Sequence, residues 1–292
     1  MRAIYAASFL FVIFPLLLNG AETDKPRLSY GYSQKSLPEA GLKDVTAAFK
    51  VWAKELGESE GFLTEAIVYE NSDALLDEFK KGKIDLAALP TLDYLKVSKE
   101  INAVLALISV MQGKKTIRYM LLVQSDSSYF TLKDLKQKRL SIMKNNELGI
   151  LFLNTQLLKA KLPEAEKFFS DIQKKNKESQ GVLSVFFGQA DACITTDINL
   201  KTMTELNPQI GKKLKIIAAS SDLIEFTSFF RSDYDKAYRD KIINRTLKLR
   251  ESPRGKQILT LFNSDTLEQM HEADLETTKQ LLSEYNRLRG KK

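Results

Sequence analysis

Few residues of this chain could carry covalent chemistry. Its 292 residues include one cysteine, Cys193, and one histidine, His271. A structural zinc site needs about four cysteine or histidine ligands, so these two side chains cannot form one. A Ser-His-Asp triad would have to be built at His271, and no glycine-rich phosphate loop of standard spacing is present. The sequence therefore favours binding over catalysis, and we expect no metal, no cofactor and no enzymatic activity.

Polar side chains at the ends of predicted strands are the residues that could bind a small ligand. Parallel strands end at one edge of a sheet, and the loops that leave this edge commonly form ligand sites. Each of these side chains also has an ordinary explanation in loop or helix-cap chemistry, and for Asp197 a cap is as good an interpretation as a ligand contact. The candidates are Tyr32, Ser33, Gln34, Thr91, Asp93 and Tyr94 in the first half of the chain, and Asn145, Asn146, Glu147, Thr195, Thr196, Asp197 and Ser221 in the second.

The chemistry of these candidates bears on the kind of ligand. The two tyrosines could stack on a ligand or hydrogen-bond to it. If the acidic candidates line the site, repulsion disfavours an anion and leaves a neutral or cationic ligand. Glu147 and Asp197 could in principle act as an acid–base pair, but no nucleophile or metal constellation accompanies them. The acidic residues concerned are Asp93, Glu147, Asp197 and Asp222.

A sequence motif that occurs twice indicates the fold that positions these candidates. Residues 79–89 and 186–196 both contain a helix end, a glycine, two further residues, an aspartate and a short apolar run. We expect the glycines, Gly82 and Gly188, to adopt the left-handed conformation that ends helices. The apolar runs after the aspartates are typical of buried parallel strands. Two such units predict two similar α/β lobes with a cleft between them.

The order of predicted elements assigns the chain to the α/β class, with two lobes built on mainly parallel sheets. We expect residues 25–120 and 224–292 to form lobe one together with the C-terminal helices. Residues 121–223 are expected to form lobe two.

Local patterns add detail to this division. Serine-rich stretches at Ser125–Ser128 and Ser220–Asp222 predict two hinge crossings between the lobes. Ala103–Val110 has the pattern of one strand, and Gly57 is expected to end the first helix. Only helices are expected after Phe230.

The first residues have the layout of a secretory signal peptide. Arg2 precedes an apolar run at residues 4–18, and small residues follow at Gly20 and Ala21. We therefore expect residues 1–20 to direct export to the periplasm and to be removed, with an uncleaved membrane anchor as the alternative. The net charge of +7 does not predict nucleic-acid binding, because lysine and arginine are interspersed with aspartate and glutamate.

Three motifs in order resemble one known family. They are Gly82–Leu95, Asp134–Ser141 and Gly188–Ala192. In these segments the chain is similar to the PhnD-like periplasmic substrate-binding proteins of phosphate, phosphite and phosphonate ABC transporters. The resemblance implies a type 2 periplasmic binding fold, the two-lobed Venus flytrap, with a ligand in the cleft. It also implies a monomer that closes on its ligand and delivers it to the membrane permease of an ABC transporter. A ligand sensor that signals to a membrane receptor is the alternative function for the same fold.

The chain departs from the family's pattern at one turn. The family's phosphonate binders have a turn rich in serine, threonine and glycine after the first strand of lobe two, where hydroxyl and N–H groups hold the phosphonate. This chain has Lys144–Gly149 there, without serine or threonine. A carboxylate at Glu147 would itself satisfy the positive helix end and would repel a dianion. The resemblance therefore implies the family's fold and general function, while this turn argues against its usual ligand.

Overall fold

Two five-stranded sheets organise this computed structural model, which describes residues 25–36 and 42–290. Within these ranges the strands are β1 (Arg27–Ser33), β2 (Leu63–Tyr69), β3 (Leu86–Pro90), β4 (Ala103–Leu105), β5 (Leu107–Val110), β6 (Tyr119–Gln124), β7 (Arg139–Met143), β8 (Asp171–Lys175), β9 (Ala192–Thr196), β10 (Leu214–Ala219), β11 (Phe226–Arg231) and β12 (Thr266–Gln269). The α-helices are α1 (Leu42–Glu60), α2 (Ser72–Lys80), α3 (Thr91–Val97), α4 (Glu147–Lys159), α5 (Ala165–Phe168), α6 (Glu178–Phe186), α7 (Asp197–Leu206), α8 (Pro208–Lys213), α9 (Lys236–Leu247), α10 (Pro253–Leu261) and α11 (Glu276–Arg289).

The two sheets share one topology. The strand order is β2-β1-β3-β11-β4 in the first and β8-β7-β9-β6-β10 in the second. β1 and β7 are parallel to both of their neighbours. One strand of each sheet, β11 or β6, runs antiparallel to its neighbours. We call the parts of the molecule built on these sheets the first and the second lobe. The predicted α/β class with mainly parallel sheets is confirmed.

Both faces of each sheet are buried, as expected for strands that read as continuous apolar runs. In β11, for example, Phe229 and Phe230 point to opposite faces and belong to different apolar clusters. In β6, Tyr119 and Leu121 belong to one cluster and Met120 to another. Each lobe therefore has its own core, which fixes the sheet edges where the predicted ligand loops begin.

The repeated phrase has the same geometry in both lobes. The Asp85 N–H donates to the carbonyl of Ser29 at 2.8 Å, and the Asp85 carboxylate accepts the Ser29 N–H at 2.8 Å. Asp191 makes the same two bonds to Arg139, at 3.0 and 2.8 Å. Each aspartate directly precedes a strand, β3 or β9. Its two bonds hold that strand in register with the neighbouring strand, β1 or β7.

Glycines end the helices that precede these aspartates. Gly82 and Gly188 have φ of +74° and +71°, so the prediction of left-handed glycines is confirmed. The prediction that Gly57 ends α1 is wrong, because the helix continues to the residue before Gly61, whose φ is +73°. A Cβ atom at Gly57 would lie 2.9 Å from the carbonyl oxygen of Phe62, so close packing of the returning chain accounts for this glycine.

The chain crosses from the first lobe to the second between β5 and β6, and returns between β10 and β11. Ile117 and Leu223, one in each crossing, exchange two backbone hydrogen bonds of 3.0 and 2.8 Å. The return crossing includes the predicted Ser220–Asp222. The crossing predicted at Ser125–Ser128 is wrong, because β6 already pairs with strands of the second sheet. The apolar pattern of a strand does not reveal which sheet it joins.

Two predictions about single elements are also wrong. Ala103–Val110 forms two strands with Ala106 between them, because the side chain of Ser228, and not a neighbouring backbone, bonds both the N–H and the carbonyl of Leu107. β5 then pairs with β12, a strand in the segment expected to be entirely helical. The predicted C-terminal helices are present as α9, α10 and α11.

The last helix connects the lobes a third time. Before α11, Leu275 is buried in the core of the first lobe, and near its start the Thr278 hydroxyl accepts the N–H of Ile224 in the return crossing at 2.9 Å. Farther along, Leu281 and Tyr285 pack against the core of the second lobe. The predicted assignment of residues 224–292 to lobe one therefore does not describe this helix.

Membrane-related predictions concern the N-terminus. The predicted signal peptide at residues 1–20 lies outside the described residues. Over the ranges that are described, no helix is both long enough and apolar enough to cross a membrane.

The two aspartates of the repeat should respond differently to pH. Hydrogen bonds from Arg139 lower the pKa of Asp191 against the effect of its partial burial. Burial raises the pKa of Asp85, and the Ser29 N–H and Arg231 offset this only in part. Because the folded pKa of Asp191 lies below its unfolded value of about 4, its stabilising effect is complete above that pH and is lost as the pH falls through the folded pKa.

We expect Asp191→Asn to lower the free energy of unfolding by about 1–2 kcal/mol at pH 7, since Arg139 loses a charged acceptor. The loss should shrink at pH 3. Asp85→Asn, the matched variant, should cost less at pH 7, because burial already favours an uncharged group there. Urea unfolding at both pH values measures these differences. An equal loss for Asp191→Asn at pH 7 and pH 3 would contradict this account.

Candidate ligand site between the lobes

A direct ionic contact joins the two lobes at the edge where their parallel strands end. Glu147 is the first residue of α4, which follows β7 in the second lobe. Its carboxylate lies 3.3 Å from Lys35 Nζ and 3.6 Å from Lys96 Nζ, and both lysines belong to the first lobe. Lys35 lies in the short 3-10 turn Gln34–Ser36 after β1, and Lys96 lies in α3 after β3. The predicted loops thus face each other across the cleft.

A chain of hydrogen bonds supports this contact from within the first lobe. Asp93 is buried and accepts hydrogen bonds from Ser72 Oγ and from Lys96 Nζ, both at 2.7 Å. Ser72 Oγ in turn lies 3.2 Å from Ser33 Oγ. Burial acts to raise the pKa of Asp93, but the hydrogen bonds from Lys96 and Ser72 outweigh it and the pKa is lowered. Asp93 therefore stays ionised and holds Lys96 in position to reach Glu147.

The pKa of Lys96 shows the same balance. Partial burial acts to lower it, but the hydrogen bond to Asp93 and the charges of Asp93 and Glu147 raise it above its usual value. Lys96 is therefore a cation shared by one carboxylate from each lobe.

The first turn of α4 has an unusual cap. Asn145 is left-handed with φ of +59°, and Asn146 is the N-cap, whose side-chain oxygen accepts the N–H of Gly149 at 2.8 Å. Asn146 is only 6% exposed, and its Nδ2 atom has no hydrogen-bond partner among the described residues. A buried donor without a partner costs about 1–3 kcal/mol, so this atom requires an explanation.

Beneath the ion pairs lies a cavity of about 30 Å³. A water molecule needs about 10–15 Å³, so the space accommodates one or two waters and is far smaller than a typical ligand pocket of about 300 Å³ or more. A ligand can enter only if the lobes separate or Glu147 moves. The walls are mostly apolar, and they comprise Pro90, Leu92, Tyr119, Met143, Leu148 and Phe226, together with Lys35, Asn145, Asn146, Glu147 and Glu225.

The hinge strands form the back of this cavity. Tyr119, at the start of β6, donates its hydroxyl hydrogen to Glu225 Oε1 at 3.0 Å. Burial raises the pKa of Tyr119 well above its usual value, and the nearby Glu225 adds to this, so the phenol stays protonated. Thr91 donates its backbone N–H to the carbonyl of Glu225 at 2.9 Å, and its hydroxyl lies 2.8 Å from that of Thr227. Thr91 thus ties α3 to the return crossing.

A second cluster in the second lobe involves Thr195 and Thr196. Glu178, the first residue of α6, is buried, and its Oε2 atom accepts the hydroxyl hydrogens of both threonines, at 3.2 and 2.8 Å, and the N–H of Thr196 at 3.1 Å. Thr196 also caps α7 by accepting the N–H of Asn199 at 3.2 Å. The two threonines therefore satisfy groups of their own lobe.

Asp197 ties the first crossing to the second lobe. Its Oδ1 atom accepts the N–H of Arg118 at 3.0 Å, and its Oδ2 atom lies 3.3 Å from Lys114 Nζ. The N-cap of α7 is Thr196 and Asp197 is its first residue, so of the two interpretations of Asp197 the N-cap is wrong, although its Oδ1 atom also accepts the N–H of Ile198 at 3.1 Å. Ser221 is exposed in the return crossing, where its carbonyl accepts the hydroxyl hydrogen of Ser220.

The two candidate tyrosines lie in the core of the first lobe. Tyr32 is 8% exposed and packs on Phe49, with ring centroids 4.1 Å apart. Tyr94 is 4% exposed and packs on Phe229 at 4.8 Å. These buried positions do not support the expectation that the two rings stack on a ligand. The sequence could not show this, because residue type and strand position do not tell which face of a sheet a side chain occupies.

The acidic candidates, from which a neutral or cationic ligand was inferred, do not stand alone in the structure. Each of the acidic candidates lies within ion-pair distance of a basic side chain. The pairs are Asp93 with Lys96, Glu147 with Lys35, Asp197 with Lys114, and Asp222 with Arg118. In the part of the chain that the structure describes, no cluster of three or more histidine, cysteine, aspartate or glutamate side chains could hold a metal ion.

Sequence reasoning missed four residues of these clusters. Two signals were present: Lys35 directly follows Gln34, and Lys96 lies one helical turn after Asp93. Ser72 and Glu178 gave no such signal, because each begins a helix and its hydrogen-bond partners are remote in sequence. The missed residues are Lys35, Ser72, Lys96 and Glu178.

Solved structures of similar shape identify the fold. A binding protein component of an ABC phosphonate transporter from Pseudomonas aeruginosa aligns with a TM-score of 0.66 at 15% identity, over 91% of this chain and 88% of that one. PhnD1 from Prochlorococcus marinus, solved in complex with methylphosphonate, aligns with a TM-score of 0.65 at 17% identity, over 89% and 98%. The aliphatic sulphonate binding protein SsuA from Escherichia coli gives 0.51 at 14% identity, over 91% and 92%. The two lobes are thus those of periplasmic binding proteins.

The comparison with curated protein sequences gave no match. A family model described as "ABC transporter, phosphonate, periplasmic substrate-binding protein" matches residues 37–275, which include the second sheet, all strands of the first sheet except β1, and the turn at Glu147. Proteins of this family are substrate-binding components of transporters. The chain therefore belongs to the phosphonate family of periplasmic substrate-binding proteins of ABC transporters.

Proposed function

We propose that this protein binds a small solute between its lobes in the periplasm and, as a monomer, delivers it to the membrane permease of an ABC importer. The observation that carries the proposal is the contact of Glu147 in the second lobe with Lys35 and Lys96 in the first. Loops at the ends of parallel strands meet there, and a solute held at that point touches both lobes.

Opening and closing of the lobes provides the mechanism. Exposed ion pairs contribute about 0.2–1 kcal/mol each, so the contacts of Glu147 are weak enough to break spontaneously. A solute that gains contacts with both lobes shifts the equilibrium toward the closed form by its differential affinity. The crossings paired at Ile117 and Leu223 are the natural hinge, because few other backbone bonds connect the two sheets there.

The proposed solute is not a phosphonate dianion. The N-terminus of a helix favours an anion, and in this chain the carboxylate of Glu147 already occupies the first turn of α4. Together with Asp93, the same carboxylate balances the charges of Lys35 and Lys96. A dianion would have to displace it and would be repelled by it. An uncharged solute meets neither obstacle.

Glu147→Ser should create a binding site for an oxyanion. The change frees Lys35, leaves Lys96 with Asp93 as its described carboxylate partner, and adds a hydroxyl at the helix start. At a methylphosphonate concentration a hundredfold above Kd, the gain of about 2.7 kcal/mol corresponds to a rise in Tm of about 5 °C or more. The unmodified protein should shift by less than about 1 °C under the same conditions. A thermal-shift titration with methylphosphonate and inorganic phosphate measures both.

Glu276→Ser is the matched control, since Glu276 is also the first residue of a helix and is exposed. It should leave the response to methylphosphonate unchanged. Strong stabilisation of the unmodified protein by methylphosphonate would contradict the proposed exclusion, and so would a Glu147→Ser variant that does not respond.

Lys35→Met should loosen the closed form, because the described partner of Lys35 is Glu147. Loss of one exposed pair changes the ratio of closed to open molecules by up to about fivefold, which corresponds to the upper value of about 1 kcal/mol. Small-angle X-ray scattering at low salt should give a larger radius of gyration than for the unmodified protein. Lys99→Met, at an exposed lysine just after α3, serves as control. Identical scattering of the two variants would show that the ion pair does not affect closure.

A further inference from the structure

The unpartnered amide of Asn146 gives information about the solute itself. Its orientation is fixed, because Oδ1 accepts the N–H of Gly149 at 2.8 Å and a flipped amide would place two donors against each other. Gly149 also makes the arrangement possible: a Cβ atom there would lie 2.6 Å from Oδ1 and 3.0 Å from Nδ2. The amide therefore lies over the first turn of α4 and keeps Nδ2 as a free donor.

Asn146, which carries this donor, is one of the residues that line the cavity between the lobes. The other walls come from both lobes and are mainly apolar, with Pro90 and Phe226 on one side and Met143 and Leu148 on the other. Asn146 is more than nine-tenths buried, so bulk water does not satisfy Nδ2. A site of this kind combines one directed hydrogen bond with apolar contacts on either side.

We propose that Asn146 Nδ2 donates to an uncharged oxygen of the solute, a carbonyl, sulfonyl or ether oxygen, whose apolar part lies between Pro90 and Met143. This inference rests on the proposed function and narrows its substrate class. A charged oxygen would be desolvated against one neutral donor, since Lys35 and Lys96 are already paired with Glu147. An uncharged acceptor loses much less on leaving water.

Two probes of nearly equal shape distinguish an uncharged from a charged oxygen acceptor. Dimethyl sulfone is uncharged and has two acceptor oxygens, and methanesulfonate replaces one of its methyl groups with a charged oxygen. Met143 lines the cavity, so the 13C-labelled methyl signal of this residue, assigned with a Met143→Leu variant, reports binding at this place. We expect dimethyl sulfone to shift the Met143 signal saturably, and methanesulfonate to bind at least tenfold more weakly.

Asn146→Asp tests the donor without removing the cap. The carboxylate keeps an oxygen for the Gly149 N–H, and aspartate caps helices as well as asparagine does. The variant should keep the Tm of the unmodified protein within a few degrees and should bind dimethyl sulfone at least tenfold more weakly. Asn71→Asp makes the same change at the cap of α2, where the side chain is exposed and accepts the N–H of Ala74 at 2.9 Å. This control should bind dimethyl sulfone like the unmodified protein.

The outcomes are distinct. Equal affinity of Asn146→Asp and unmodified protein for dimethyl sulfone would overturn the role of Asn146. A Met143 signal that responds to methanesulfonate but not to dimethyl sulfone would overturn the uncharged class while leaving binding between the lobes intact. A Met143 signal that responds to neither probe would mean that Nδ2 is satisfied by a bound water only, and the inference would fail. The proposed function would still be judged separately by the scattering of Lys35→Met.

Discussion

Each lobe depends on one aspartate that binds the backbone of the neighbouring strand with both its N–H and its carboxylate. Asp85 holds Ser29, and Asp191 holds Arg139, with nearly identical geometry. The left-handed glycine three residues earlier turns the chain from helix to strand. These bonds fix the register of β1 against β3 and of β7 against β9. The C-terminal ends of the two strands of each pair therefore lie side by side. The loops that meet in the cleft leave from those ends, so the scaffold side of each sheet determines the geometry of the opposite side.

The two lobes are joined by more than the paired crossings. α11 begins in the first lobe, bonds the return crossing through Thr278 and then packs Leu281 and Tyr285 on the second lobe. Its neighbour there is α4, and a further ion pair between Lys159 and Glu284 joins the two helices at 3.0 Å. α4 carries the Asn146–Glu147 turn at its other end. The packing of α11 against α4 therefore helps to hold this turn relative to the first lobe, while the exposed ion pairs of Glu147 add only a weak and salt-sensitive contribution.

The sequence predicted the parts of this arrangement that local chemistry determines. The repeated segment and its left-handed glycines follow from short patterns, and Glu147 was a candidate for the cleft because it begins the helix after β7. Pairing across the molecule is not local. The sequence could not show that Ser228 divides one predicted strand into β4 and β5, or that Tyr32 faces the core. It likewise could not show that each acidic candidate lies beside a lysine or arginine, which for Glu147, Asp197 and Asp222 comes from a remote part of the chain.

Adjacent residues at the start of α4 act on recognition in opposite ways. Glu147 supplies the negative charge that a helix N-terminus and two lysines would otherwise take from a ligand. Asn146 leaves one donor open beside it, in a wall that is otherwise mostly apolar. The charge of Glu147 disfavours an oxyanion, while Asn146 retains a directed hydrogen-bond donor at nearly the same place. Under the proposed function, this one turn gives a member of the phosphonate family a different class of solute while the two-lobed fold is kept. Specificity in this architecture is a property of the loops at the strand ends, which the scaffold positions but does not define.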